Sequence, residues 1–270
     1  MTRRISSLAF AMADSLAEAA ADAVMPRYQR LAKGDVEEKS PGELVTIADH
    51  EAEAIIATRL KSLRPEARFV GEEACARDPS LLRDLDQGEV WIVDPIDGTR
   101  NFAEGRGPFA LMAALIRRGE IVASCVLNPL NGALVAAERG AGAWIDGERI
   151  TTGAGACDVS ACTGIISHFQ RPAAMESQVA RLADRVAQVQ PTRRCAGAEY
   201  PIVAQGVCDF ALYWRTLVWD HAPGVLILEE AGGKAARLDG ARYCPTDPSG
   251  AILLAHSDEI WDQAASTLAG

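Results

Sequence analysis

The 270-residue chain is short of positive charge: 27 Lys and Arg face 37 Asp and Glu, a formal net charge of −10. Nucleic acid and anionic membrane surfaces both need positive fields, so neither is expected as a partner. No apolar run approaches the length of a transmembrane span. The seven cysteines are odd in number and form no Cys-x-x-Cys pair. That argues against a disulfide framework and a zinc site, and fits a reducing cytoplasm. His50, His168, His221 and His256 have neither triad nor metal-ligand spacing. Each reads as a surface or packing residue, with His221 alone expected near a site. Internal repeats and low-complexity tracts are missing as well. Gly153-Ala154-Gly155 is followed by neither a lysine nor a third glycine at the spacing of a nucleotide loop. Arg3-Arg4 before Ile5–Ala13 has the look of an export signal, but Asp14 and Glu18 interrupt the apolar region. Ile5, Leu8, Ala9, Met12, Leu16, Ala19 and Ala23 recur instead at helical spacing.

What is present centres on Trp91-Ile-Val-Asp94-Pro-Ile-Asp97-Gly-Thr-Arg-Asn-Phe102. An apolar run from Val90 to Val93 reads as a buried strand that delivers Asp94 and Asp97 to a strand-end loop. Pro95 stiffens the link between the acids, so that the Ile96 carbonyl can turn toward whatever they hold. Carboxylates this close raise one another's pKa values unless a cation sits between them. Oxygen ligands of this kind point to a hard divalent metal, Mg²⁺. Gly98 and Thr99 add backbone N–H groups and a hydroxyl, which suit a phosphate. The same residues also read as a strand followed by an ordinary Asp-Gly turn. Two residues separate the acids, where a phosphohydrolase with an aspartyl nucleophile has one. A small anionic substrate is compatible with the acidic chain where metal inverts the local charge.

Length and hydrophobic content allow one large domain or two joined halves, 1–150 and 151–270, meeting at the Gly- and Ala-rich stretch Thr151–Asp158. In chain order, a charged surface loop spans Gly34–Gly42 and a helix Ala48–Leu63, with Asp49 in its first turn. Arg68–Val70 is a short strand ending in Gly71-Glu72-Glu73. Phe109–Ile150 reads as an antiparallel meander. The second half alternates: strand Thr163–Ser167, helix Ala173–Val189, helix Glu199–Gln205, strand Asp209–Trp214, the segment Trp219-Asp220-His221, strand Ala251–Ala255 and a helix from Asp258. Alternation implies layered α/β packing. Asp49 reads equally as a helix-dipole partner, and Asp220 as a helix N-cap with Pro223 in the first turn.

Gly71-Glu-Glu73, Asp94–Phe102 and Trp219-Asp220 with Glu230-Ala-Gly-Gly233, joined by Leu44-Val-Thr-Ile-Ala-Asp49, together resemble the inositol monophosphatase family of Mg²⁺-dependent, lithium-sensitive phosphatases. Order and spacing match over nearly the whole chain. The resemblance implies an αβαβα sandwich, a homodimer and a small phosphorylated metabolite as substrate. It implies that Glu72, Asp94 and the Ile96 carbonyl bind one Mg²⁺, that Asp94, Asp97 and Asp220 bind a second, and that a third sits near Glu72. Thr99, bonded to Asp49, would orient and help deprotonate the attacking water, with Glu72 also catalytic. Glu72, Asp97, Gly98, Thr99, Ala196 and Asp220 would contact substrate. Inositol 1-phosphate is the expected substrate. Histidinol phosphate, an adenosine 3′,5′-bisphosphate and fructose 1,6-bisphosphate are the alternatives, and a regulatory binding protein is the non-enzymatic one. The chain departs from the pattern where Tyr213 or Trp214 replaces a sugar-contacting Glu, and where Cys195-Ala-Gly-Ala198 replaces a Gly-Ser/Thr-Ala segment. Arg193, Arg194 or Arg215 could read a second anionic group, or be plain surface charge.

Overall fold

The computed structural model describes residues 7–153, 155–247 and 249–270. Arg3, Arg4 and Ile5 lie outside the described residues, as does Ala154. The chain runs α1 (Ser7–Ala19), a π-helical turn (Ala20–Val24), β1 (Val36–Ser40), β2 (Glu43–Thr46), α2 (Ile47–Leu63), β3 (Arg68–Gly71), α3 (Glu72–Arg77), β4 (Glu89–Asp97) and α4 (Thr99–Ala103). A meander follows: β5 (Ala110–Arg117), β6 (Glu120–Leu127), β7 (Leu134–Glu138), β8 (Gly142–Ile145) and β9 (Glu148–Ile150). The remainder is β10 (Thr163–Ile166), α5 (Glu176–Arg185), β11 (Gln188–Gln190), α6 (Ala196–Ala204), β12 (Phe210–Tyr213), α7 (Val218–Ala231), β13 (Lys234–Arg237), β14 (Ile252–Ala255) and α8 (Asp258–Ala269).

Strands β3 to β9 form a seven-stranded sheet in sequence order, parallel at β3–β4 and antiparallel thereafter. A five-stranded sheet has the order β11-β10-β12-β14-β13. Strand periodicity sorts the side chains into layers. On β4, Trp91 and Val93 pack with α1 and α2, whereas Val90 and Ile92 face the central layer of α6 and α7. On the second sheet, Ala211 and Ile165 face that central layer, while Phe210, Leu212 and Ile166 pack under α5 and α8. The result is the αβαβα sandwich that the resemblance implies. Helix α7 lies at its centre, with both Leu226 and Ile227 at 0% exposure. A helix apolar on every side belongs in such a buried layer.

Several expected elements differ. The Gly34–Gly42 loop contains β1, which pairs with β2 as an exposed ribbon. Its charged residues carry no hydrophobic alternation, so the strand left no pattern to read. The helix expected over Ala173–Val189 is confined to α5, and Val189 lies instead in edge strand β11, paired with Gly164. Helix α6 begins three residues early, at Ala196. Strand β13 follows the Gly232-Gly233 stop without having been foreseen. Leu217, not Asp220, is the N-cap of α7, which puts Asp220 third and Pro223 sixth in the helix.

Candidate active site

A β-bulge makes the two strand acids neighbours. Asp94 pairs with Met112 and Asp97 with Ala110, so three steps on β4 match two on β5. Without the extra residue, Asp97 would join Trp91 and Val93 on the opposite face. Pro95 sits in the bulge, where a missing N–H costs no ladder bond. Ile96 takes the opposite face and packs with α1 and α2. Asp97 Oδ2 accepts from Gly197 N at 2.6 Å. A Cβ on Gly197 would come within 2.7 Å of the Ala110 Cβ, so only glycine lets α6 approach this carboxylate.

The other acids arrive on helix starts. Glu72 opens α3 at the end of β3, and Asp220 sits in the first turn of α7. Glu72, Asp94 and Asp220 each offer an oxygen within 4.8 Å of the others. Burial is the main reason their carboxyls resist ionisation, and mutual repulsion adds to it. Glu72 is pushed up to about 7 by burial and by Asp220 and Glu73, although the Lys39 ammonium opposes this. Asp220 is pushed up to about 7 by burial and by Asp97, and it hydrogen-bonds Asp94. Asp97 also rises to about 7, and Asp94 rises well above the usual carboxylate range. Four crowded carboxyls, Asp94 and Asp97 among them buried, face only the Lys39 ammonium and the Arg215 charge. A hard divalent cation meets that need with oxygen ligands of the right kind.

Asp49 is third in α2 and 0% exposed. Its Oδ2 accepts from Thr46 N at 2.8 Å and from Thr46 Oγ1 at 2.6 Å, completing a capping box. The capping role leaves Oδ1 free to face Thr99 Oγ1 at 3.3 Å. Thr99 Oγ1 also lies 2.9 Å from the Ile96 carbonyl. Burial, joined by the charges of Glu73 and Glu72, pushes the Asp49 carboxyl up to about 8. Gly98, at φ +85°, reverses the chain between β4 and α4. A side chain there would be strained and would meet Pro108 O at 3.1 Å.

Glu72, Asp94, Asp97, Asp220 and Thr99 floor a cavity of about 560 Å³ lined also by Gly98, Ala196, Phe169, Tyr213 and Arg215, with Asp49 beneath it. Lys39, a residue the sequence did not single out, reaches in from an irregularity in β1. Its Nζ donates to Glu72 Oε1 at 2.7 Å and to Glu73 Oε1 at 2.6 Å. Glu199 is a second omission. It is 0% exposed and accepts from Thr192 Oγ1 (2.8 Å), Arg193 N and the Tyr213 hydroxyl. An acid followed by Tyr200-Pro201 in a helix carries no motif, so only the fold pairs it with Tyr213. His221 is a buried part of the wall, and burial pushes it down to about 4. Its Nε2–H donates to Arg215 O at 3.0 Å, which leaves Nδ1 to accept from the Tyr200 hydroxyl at 2.9 Å. His168 lines the cavity too, contrary to the expectation that only His221 would be near.

Comparison with known proteins places this geometry in context. A sequence model of the inositol monophosphatase family matches residues 7–268. An inositol-1-monophosphatase from Rhizobium meliloti (strain 1021) is 34% identical over 204 residues, 75% of each chain. A fructose-1,6-bisphosphatase/inositol-1-monophosphatase from Thermotoga maritima is 30% identical over 207 residues, again 75% of each. The crystal structure of extragenic suppressor protein suhB from Bartonella henselae superposes with a TM-score of 0.85 at 27% identity, covering 97% of this chain and 98% of that one.

Proposed function

Because the chain belongs to the inositol monophosphatase family and is a phosphoric monoester hydrolase, we propose that it cleaves inositol 1-phosphate by direct attack of water in a Mg²⁺-dependent reaction. The observation that carries this reading is the trio Glu72, Asp94 and Asp220, whose oxygens converge within 4.8 Å in the cavity that Gly98 and Thr99 also line. Glu72, Asp94, Asp97, Asp220 and the Ile96 carbonyl would hold two or three ions. Mg²⁺ bound there supplies Lewis acidity, lowering the pKa of water and neutralising charge on the phosphate.

The chain's own groups do the rest. Thr99 Oγ1 has one hydrogen and two acceptors in reach, Ile96 O and Asp49 Oδ1. With Ile96 O engaged elsewhere, that hydrogen turns to Asp49, and the Oγ1 lone pairs face the cavity. Asp49 Oδ1, 3.3 Å from Thr99 Oγ1, would take that proton as Thr99 takes one from the attacking water. The Gly98 and Thr99 amides, at the start of a helix, have no intrahelical acceptor and suit phosphate oxygens. No protein nucleophile is needed. The enzyme would act in the cytoplasm, in keeping with its seven free cysteines, and as a homodimer, as the family resemblance implies.

Phosphate release from inositol 1-phosphate tests the reading. Turnover should require Mg²⁺, cease with EDTA, and fall in millimolar LiCl against a KCl control. Activity that survives exhaustive chelation would refute the metal assignment, and phosphate trapped covalently on Asp94 or Asp97 would refute direct attack by water.

A further inference from the structure

Three arginines line the cavity, and they differ in what they are already doing. Arg100 Nη2 donates to Gly42 O at 2.9 Å, and its Nη1 lies 3.9 Å from Glu104. Arg215 is ion-paired with Glu43, with its guanidinium 4.8 Å from the Phe169 ring centre. The Arg194 guanidinium is exposed, and among the described residues it has neither a carboxylate in ion-pairing range nor a hydrogen-bond acceptor. Arg193, also exposed, is not part of the lining.

The root of Arg194 is fixed all the same. Its backbone is left-handed, at φ +55°. Its N–H donates to Thr192 Oγ1 at 3.0 Å, and its carbonyl abuts Gly98, where a Cβ would lie 3.3 Å away. Asn101 Nδ2 holds the preceding carbonyl, Arg193 O, at 2.9 Å. A strained backbone held from both sides places an uncommitted cation beside the turn proposed to take the phosphate.

The buried carboxylate of this wall is already engaged. Glu199 Oε1 takes Thr192 Oγ1 and Arg193 N, and Oε2 takes the Tyr213 hydroxyl. At this wall the Glu199 carboxylate is thus held by protein donors, while the Arg194 guanidinium remains an open fork of donors for an anion. We propose that Arg194 reads a second anionic group, phosphate or carboxylate, on the leaving alcohol, so that monoesters of such alcohols are preferred over those of neutral ones. This rests on the phosphatase reading above.

Two matched pairs test it, each sharing the scissile phosphate: fructose 1-phosphate against fructose 1,6-bisphosphate, and glycerol 2-phosphate against 2-phosphoglycerate. The doubly anionic member of at least one pair should have the higher kcat/KM, by about tenfold or more. Which pair responds distinguishes phosphate from carboxylate. Arg194→Asn keeps a residue type that tolerates the left-handed backbone and should abolish the advantage. Arg194→Lys should keep part of it. No advantage in the wild type, or one that Arg194→Asn leaves intact, overturns the proposal. If neither these compounds nor inositol 1-phosphate is hydrolysed, the phosphatase reading falls instead. Calorimetric titration of the same compounds then decides: equal affinities within each pair overturn the role of Arg194, and tighter binding of the doubly anionic member that Arg194→Asn removes supports it.

Discussion

The phosphate end of the cavity and its alcohol end are built in opposite ways. Carboxylates floor the first or, for Asp49, lie beneath it, and each is set by a regular element: the bulge of β4 for Asp94 and Asp97, helix starts for Asp49, Glu72 and Asp220. Arginines and aromatic rings dominate the second, with Phe169, Arg194, Trp214 and Arg215 outside helices and strands and Tyr213 and Glu199 supplied by β12 and α6. Acids that must share cations within a few ångströms need a scaffold that cannot relax, whereas a wall that selects an alcohol can be rebuilt loop by loop. On the proposed reading, chemistry would be tied to the regular elements, and choice of the alcohol would rest largely on the connecting segments.

Breaking the phosphate end should have the largest effect. Asp220→Asn and Asp94→Asn are expected to lower kcat by about 10³-fold or more, since several kcal/mol of charge stabilisation goes with the cation. Circular dichroism and thermal melts should show both variants folded. Asp220 lies within the helix and not at its cap, so full turnover in Asp220→Asn would leave it no role but packing. Next in size, Thr99→Ala and Asp49→Asn should each lower kcat by about 10²-fold with KM changed far less, the pattern of a proton-transfer defect. A change confined to KM would make Thr99 a phosphate ligand only and move it from one side of the comparison to the other.

The two ends also differ in how much of them could be read from the sequence. Asp94, Asp97 and Asp220 stand beside apolar runs that mark their elements, and a strand and a helix obey periodic rules whatever surrounds them. The bulge itself was not legible. Pro95 hinted at a stiff link, but only pairing with β5 turns Asp97 to the side of Asp94. Lys39 and Glu199 escaped for a related reason: each acts on residues 33 or 34 and 14 positions away, through contacts that no local pattern encodes. Arg194 was visible as a charge but not distinguishable from Arg193 and Arg215 until the fold showed which were engaged.

A pH experiment sharpens the contrast at a smaller scale. Glu72, Asp97 and Asp220 ionise at about 7 and Asp49 at about 8 in the folded chain, against values near 4 when unfolded. The metal-free folded state therefore binds protons that the unfolded state has already lost. Its stability from this cluster is fully present below pH 4 and is lost as pH rises through 7 to 8. In EDTA, Tm should fall from pH 5 to pH 8 by at least ~5 °C. Mg²⁺ should restore it, and by more at pH 8, because the cation binds the ionised carboxylates. A metal-free protein whose Tm is flat over this range would mean that Lys39 alone offsets the crowding.

The smallest effect belongs to the alcohol end. Glu199 is buried, which raises its carboxyl above the usual range, while three hydrogen bonds to it work in the other direction. Tyr213→Phe removes one of those donors and leaves Oε2 without a partner in an apolar setting. The cost is that of an unsatisfied buried acceptor, about 1–3 kcal/mol. Glu199→Gln should cost less, since the amide oxygen can still accept from Thr192 and Arg193 N while the amide nitrogen donates to the Tyr213 oxygen. Neither group touches the acids that would hold the cation, so kcat toward inositol 1-phosphate should change only a few-fold in Tyr213→Phe. Denaturant melts of the two variants measure the first expectation, and steady-state rates the second. Should Tyr213→Phe prove as stable as the wild type but lose kcat as deeply as Thr99→Ala, Tyr213 would belong with the reacting groups, and the division between a chemical end and a selecting end would not hold.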